Sequence, residues 1–299
     1  MTVLRKLAFL IATVMLALTA SATDKIPVVA SFSILGDVVS MVGGDRVAVH
    51  SLVGPDQDAH VFEPRPADVQ TIARAKLVVL NGLGFEGWIT RLTEMASYKG
   101  ATLVASRGIR FRQMADEDHP GRRTDDPHAW QDPRKVIDYV RNIATALGQI
   151  DPAGAPSYQE NSRHYIEALQ ALDAWISDQY ASIPKTKRKL ITSHDAFGYH
   201  AARYGIQFIA LQGVSTESEP SAKEISKLIR QIKQEKIKAL FMENMTNSRL
   251  LEQLAKDTGV TPCGKLYADA LSTPDGPAPN YLKMMRYNVD QILLGLKRN

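Results

Sequence analysis

Hydrophobic positions along this chain alternate between two spacings. Short runs rich in β-branched residues at 26–31, 47–53, 77–81 and 102–105 predict buried strands. The segments between them, at 34–42, 66–75 and 85–96, carry a helical period. The alternation returns in the second half, with strands expected at 189–192, 206–211, 237–242 and 264–267 and helices at 197–204, 221–235, 248–258 and 280–296. Near-continuous apolar strands separated by helices predict an α/β fold, with parallel sheets covered on both faces.

Between the halves, residues 156–183 contain no internal glycine or proline, and Tyr165, Leu169, Leu172 and Ile176 mark one apolar face. Pro156 suits a first helical turn and Pro184 a stop. A helix of this length reaches ~40 Å, longer than a small domain. It is either a long surface helix of one domain or a stiff strut between two lobes, and the matching patterns on either side favour the strut. The expected division is therefore a lobe at 23–155, a linking helix at 156–183 and a second lobe at 184–299.

The first 22 residues stand apart. Arg5 and Lys6 precede an apolar run and then Ala20-Ser21-Ala22, the pattern of a cleaved secretory signal peptide. The run is too short to span a bilayer of ~30 Å hydrocarbon thickness. The only cysteine, Cys263, is far from the expected cut, which argues against a lipoprotein box and excludes an internal disulfide or a cysteine-cluster metal site. An exported, periplasmic monomer is expected. Without Arg5 and Lys6, the 36 basic and 32 acidic residues leave a net charge of +2. That balance argues against nucleic acid as a partner.

Chemistry concentrates in three polar turns. His60 lies in Asp58-Ala59-His60-Val61-Phe62-Glu63-Pro64 after a predicted strand, and His128 in Asp126-Pro127-His128-Ala129-Trp130-Gln131-Asp132-Pro133 just before a helix. His194 lies in Ser193-His194-Asp195-Ala196-Phe197-Gly198-Tyr199 at a strand end, and Asp269 follows the last predicted strand. Ligands of open parallel sheets bind outside the carboxyl ends of the strands. Three imidazoles and a carboxylate suit zinc, or manganese or iron if both carboxylate oxygens bind. A single loop histidine is more often a surface or capping residue, so spacing alone leaves both readings open.

The surrounding words carry more. The three histidine motifs, with Leu266-Tyr267-Ala268-Asp269-Ala270-Leu271 and Ser31-Phe32-Ser33-Ile34-Leu35, resemble those of the metal-binding solute-binding proteins of bacterial ABC importers, the ZnuA/TroA-like zinc and manganese family. The resemblance runs from about Lys25 to the C-terminus. It implies two α/β lobes, each a mainly parallel sheet flanked by helices, joined by a rigid backbone helix, with the metal cleft between them. It also implies His60, His128, His194 and Asp269 as ligands of Zn2+, with Mn2+ as the alternative. The partner implied is an ABC permease in the inner membrane that docks transiently. Two departures matter. The segment 111–127 is short, with His119 its only histidine, whereas zinc-uptake members often carry a long His-rich loop there. His194 stands where manganese-type members usually place Glu, which tilts the choice to zinc.

Glu63, Asp126, Asp132 and Asp195 are near enough in sequence to support the imidazoles from behind, or serve as caps and turns; Glu217 and Glu219 are candidates for the cleft mouth. His200 is expected to pack or cap in its helix, and Gln131 to act in packing. A zinc hydrolase would need an open ligand position and a nearby base. The chain lacks a His-Glu-x-x-His helix, and neighbours Ser193-His194-Asp195 cannot face one another as a triad. No enzyme is expected. An organic-solute receptor would not need three cleft histidines; a surface adhesin remains a separate alternative.

Overall fold

A computed structural model describes residues 24–115, 121–217, 220–246 and 249–299. The expected signal peptide, His119 and Glu219 lie outside the described residues.

Strands β1 (Ile26–Phe32), β2 (Val47–Val53), β3 (Leu77–Leu80) and β4 (Ala101–Val104) form one sheet in the order β2-β1-β3-β4, all parallel. Helices α1 (Ser33–Gly43), α2 (Pro66–Arg74) and α3 (Ile89–Met95) connect them. A short antiparallel hairpin, β5 (Gln113–Ala115) with β6 (Arg123–Asp125), follows. Then come α4 (Pro133–Ile150) and the long α5 (Ala155–Ala181). In the second half β7 (Lys189–His194) pairs with β8 (Gln207–Gln212), and β9 (Phe241–Glu243) with β10 (Gly264–Leu266), again in parallel. The bridge Ile191–Leu240 joins the two pairs, so the spatial order β8-β7-β9-β10 repeats that of the first sheet. Helices α6 (Gly198–Tyr204), α7 (Ala222–Glu235), α8 (Arg249–Thr258) and α9 (Tyr281–Leu296) complete this half.

Several differences from expectation have local causes. The segment 111–127 contains a hairpin stem rather than only loop. The strand expected at 237–242 begins at Phe241, because the amides of Lys238 and Ala239 donate to the side chain of Asn299 instead of to a ladder. The helix expected at 85–96 begins at Ile89. Ahead of it the Glu86 carboxylate accepts from Ser31 Oγ at 2.6 Å and from the amides of Asn81 and Gly82, pinning a turn in which Gly82, Leu83 and Gly84 all have positive φ. β7 runs on to His194, which pairs with Gln212.

One hydrophobic core runs through both halves. The buried stripe of α5, Tyr158, Tyr165, Leu169, Leu172, Ile176 and Tyr180, faces that core and packs against α1, α4, α6 and α9. The long helix thus packs one face against helices of both halves and leaves its other face exposed, as a stiff strut between them would. Asp173, 2% exposed, makes its polar anchor. It accepts from Arg134 Nε at 2.7 Å on α4, from Arg203 Nε at 2.8 Å and Nη2 at 2.6 Å on α6, and from Tyr204 Oη at 3.0 Å. Burial alone would raise this carboxyl, but the hydrogen bonds from Arg203 and Arg134 hold it below the usual range.

Removing one partner from such a buried cluster strands the others, at a cost of about 3–5 kcal/mol when the pair is fully buried. The arginines here are partly exposed, so Asp173→Ala is expected to lower unfolding free energy by roughly 2–3 kcal/mol in urea denaturation. His200 bears on pH. Its imidazole is buried between Tyr180 Oη at 3.0 Å and the Gln131 carbonyl at 3.3 Å, and burial pushes its pKa down to about 4. A histidine held neutral in the fold contributes stability that is complete above the unfolded value near 6.5 and is lost as pH falls toward 4, roughly 3 kcal/mol in all. Asp37, pushed up by burial to about 6, runs the opposite way over the same window. The measurable quantity is thus the difference in stability between wild type and His200→Gln, which should shrink between pH 7 and pH 4.5.

Candidate metal centre

Each candidate ligand is placed by a different strand end. β2 leads into the turn bearing His60, whose amide donates to Asp58 Oδ1 at 2.9 Å, while Trp88 Nε1 donates to the Ala59 carbonyl at 2.8 Å. His128 follows β6, and its amide donates to Asp126 Oδ1 at 3.1 Å. His194 ends β7; Asp269 lies three residues after β10. Trp130 Nε1 and Gln131 Nε2 both donate to the Ala268 carbonyl, at 2.9 and 2.7 Å, and so fix the backbone just before Asp269. Gln131 thus does more than pack.

The four side chains meet. One ligand atom from each of His60, His128, His194 and Asp269 lies within 4.8 Å of the others. The ring centroids stand 5.4–5.7 Å apart: His60–His128 5.5 Å, His60–His194 5.7 Å and His128–His194 5.4 Å. Asp269 Oδ2 is 3.0 Å from His194 Nε2 and 3.3 Å from His60 Nε2, and Oδ1 is 3.8 Å from His128 Nε2. His60 Nε2, His128 Nε2 and Asp269 Oδ1 are buried with no hydrogen-bond partner. Buried polar atoms left without partners cost stability, and three pointing at one spot form a ready donor set for a cation. Phe85 and Trp130 wall the cluster, with ring centroids 4.8 Å from His60 and 5.3 Å from His128 respectively, and Phe32 packs against both.

Carboxylates behind two of the rings turn their Nε2 atoms inward. Asp126 Oδ1 faces His128 Nδ1 at 3.0 Å. Glu243 Oε2 bonds His194 Nδ1, while Glu243 Oε1 accepts the amides of Ser193 and His194 at 3.0 and 3.1 Å. Such partners fix ring orientation and raise donor basicity. Burial would raise the Asp269 carboxyl, but the facing His194 and His128 hold it well below the usual carboxylate range. Burial would lower His194; Glu243 and Asp269 on either side overcome this and raise it well above 6.5.

Of the four supports proposed from sequence, Asp126 alone hydrogen-bonds the ring of a candidate ligand. Glu63 is exposed, Asp132 caps α4 by accepting from the Arg134 amide at 2.8 Å, and Asp195 is held through its amide to the Gly213 carbonyl. Glu217 is exposed. Glu243 is not among those four; its one signal is an acid directly after the strand expected at 237–242, where strand ends converge. Cys263 is half-buried against the Lys238 carbonyl, away from the cluster.

Residues 28–294 match the family model described as zinc-uptake complex component A, periplasmic (ZnuA). The chain belongs to this family. It is 31% identical over 286 residues to the metal ABC transporter substrate-binding lipoprotein ScbA of Streptococcus cristatus, covering 94% of this chain and 92% of that one. It is 33% identical over 275 residues to the manganese-binding lipoprotein MntA of Halalkalibacterium halodurans, covering 92% and 90%. The fold superposes on the periplasmic zinc binding protein TroA of Treponema pallidum with a TM-score of 0.85 at 28% identity, over 91% of this chain and 99% of that one. These are substrate-binding proteins, not enzymes.

Loss of a carboxylate behind a metal-bound imidazole typically weakens capture by 10–100-fold. Glu243→Gln is expected to weaken divalent-ion binding within about that range, while Glu63→Gln leaves it unchanged, as measured by competition with a fluorescent chelator.

Proposed function

We propose that this chain is the exported, periplasmic solute-binding component of a metal ABC importer. It captures a divalent transition metal through His60, His128, His194 and Asp269 and delivers it to an inner-membrane permease that docks transiently. The supporting observation is the convergence of three unpartnered, buried ligand atoms from turns of both halves. The same reading divides the chain into lobes at 23–155 and 184–299 about the linking helix at 156–183, with the ion as cargo in the cleft.

Zn2+ is the proposed cargo. Three neutral imidazoles and one carboxylate make a nitrogen-rich set of four, which suits tetrahedral zinc. One observation favours Mn2+ as the second reading: Oδ1 and Oδ2 of Asp269 both face imidazoles, so both could bind and raise the coordination number. The relative MntA is named for manganese and the neighbour TroA for zinc. Metal analysis of the purified protein, followed by X-ray absorption on Zn2+- and Mn2+-loaded samples, decides between them. Four ligands at about 2.0–2.1 Å to nitrogen support zinc, and absence of any bound ion after loading overturns the proposal.

The ion must displace the proton that Glu243 and Asp269 stabilise on His194. Because that pKa is raised, affinity should begin to fall while the pH is still above 6.5, by about tenfold per unit for one competing proton. Titration calorimetry at pH 7 in buffers of different ionisation enthalpy should register about one proton released per ion.

A further inference from the structure

His60 differs from the other two imidazoles. It is 9% exposed where His128 and His194 are fully buried, and among the described residues no carboxylate faces its ring nitrogens except Asp269. Its position depends instead on the turn that carries it, and that turn is tied to the opposite half of the molecule. Asp56 adopts a left-handed conformation (φ 54°), tolerated by aspartate at a tight turn, and its amide donates to the Leu271 carbonyl at 2.9 Å. Asp56 Oδ1 accepts from Asn244 Nδ2 at 2.9 Å; Asn244 follows Glu243, the residue behind His194. Asp58 reaches further. One of its oxygens accepts the His60 amide at 2.9 Å, and the other accepts from Thr216 Oγ1 at 2.6 Å, in the loop after β8. A single carboxylate thus bonds the backbone of the ligand and a hydroxyl across the cleft.

We infer that Asp58 and Thr216 form a latch that holds His60 on the ion and sets how fast the ion is released. Both are positioning residues: neither belongs to the ligand cluster. Separation of the halves breaks the Asp58–Thr216 bond and leaves the His60 turn without its tether to the loop after β8. The most exposed ligand is then the first to leave, and the remaining three keep their own supports: Asp126 behind His128, Glu243 behind His194, and Trp130 and Gln131 on the backbone before Asp269. Release in this scheme starts at the His60 side and is coupled to opening rather than to protonation.

The inference rests on the metal-binding reading, and its test separates the two. Full-length mature protein is loaded with Zn2+, and release into excess chelator is followed by stopped flow. A hydrogen bond to a charged group is worth enough for Thr216→Val to speed release by about tenfold. Thr216→Ser, which keeps the hydroxyl, should restore the wild-type rate. Asp58→Ala combined with Thr216→Val should be no faster than Asp58→Ala alone, because removing either end breaks the same bond. Thr216→Val should lower the melting temperature of the metal-free protein by no more than the loss of one hydrogen bond, whereas a general packing defect would lower it further. A Thr216→Val rate within about twofold of wild type overturns the latch, as does failure of serine to restore the rate. Failure of the wild type to take up Zn2+ or Mn2+ at all overturns the metal-binding reading itself.

Discussion

A carboxylate with no exposure to water is the constraint around which this molecule is arranged. Asp269 is fully buried, and a lone buried charge would cost several kcal/mol. What makes it tolerable is the ring of imidazoles: His194 and His60 within hydrogen-bonding or near-contact distance of one oxygen, and His128 facing the other. Those imidazoles come from turns far apart in the chain. Compensating the charge therefore requires the two sheets to come together, and the same geometry that compensates the charge leaves inward-facing nitrogens without partners.

The scaffold achieves this by repetition. Each half orders its parallel strands in the same way, and turns at the strand ends carry His60, His194 and Asp269. Helix α5 keeps the halves in register because its buried face contributes to a core shared by both. Asp173 adds directional bonds to α4 and α6 from one point on that helix. The tyrosine Oη of Tyr281, on the last helix, donates to the Trp130 carbonyl at 2.7 Å, which ties the C-terminal helix to the segment beside His128. A scaffold of this kind permits small relative tilts more readily than wide opening, because separation would expose core side chains.

Around the cluster, roles divide between groups that set the direction of a ring and groups that set the position of a backbone. Asp126 and Glu243 do the first, each by bonding an Nδ1. Trp130, Gln131, Trp88 and Asp58 do the second. Membership of a family of metal-transport binding proteins fits this division, since a carrier needs donors held in place but not a spare base positioned for chemistry.

Strand and helix periods, the long helix and the four motif words bearing His60, His128, His194 and Asp269 were all legible in the chain, because each is local: a run of apolar residues, a proline at a helix start, a histidine in a polar turn. Element ends were read less well where a distant side chain intervened, as Asn299 does before β9 and Glu86 does before α3. Local order along the chain suffices to say which residue types could bind a cation and that they sit after predicted strands or in the turns between elements. It takes the folded chain to show that Glu243, 49 positions from His194, stands behind it, that Glu63 is exposed, and that Asp58 meets Thr216 across 158 positions. Those outcomes depend on how two sheets pack about one helix, and contacts between distant segments leave no periodic trace in the order of residues.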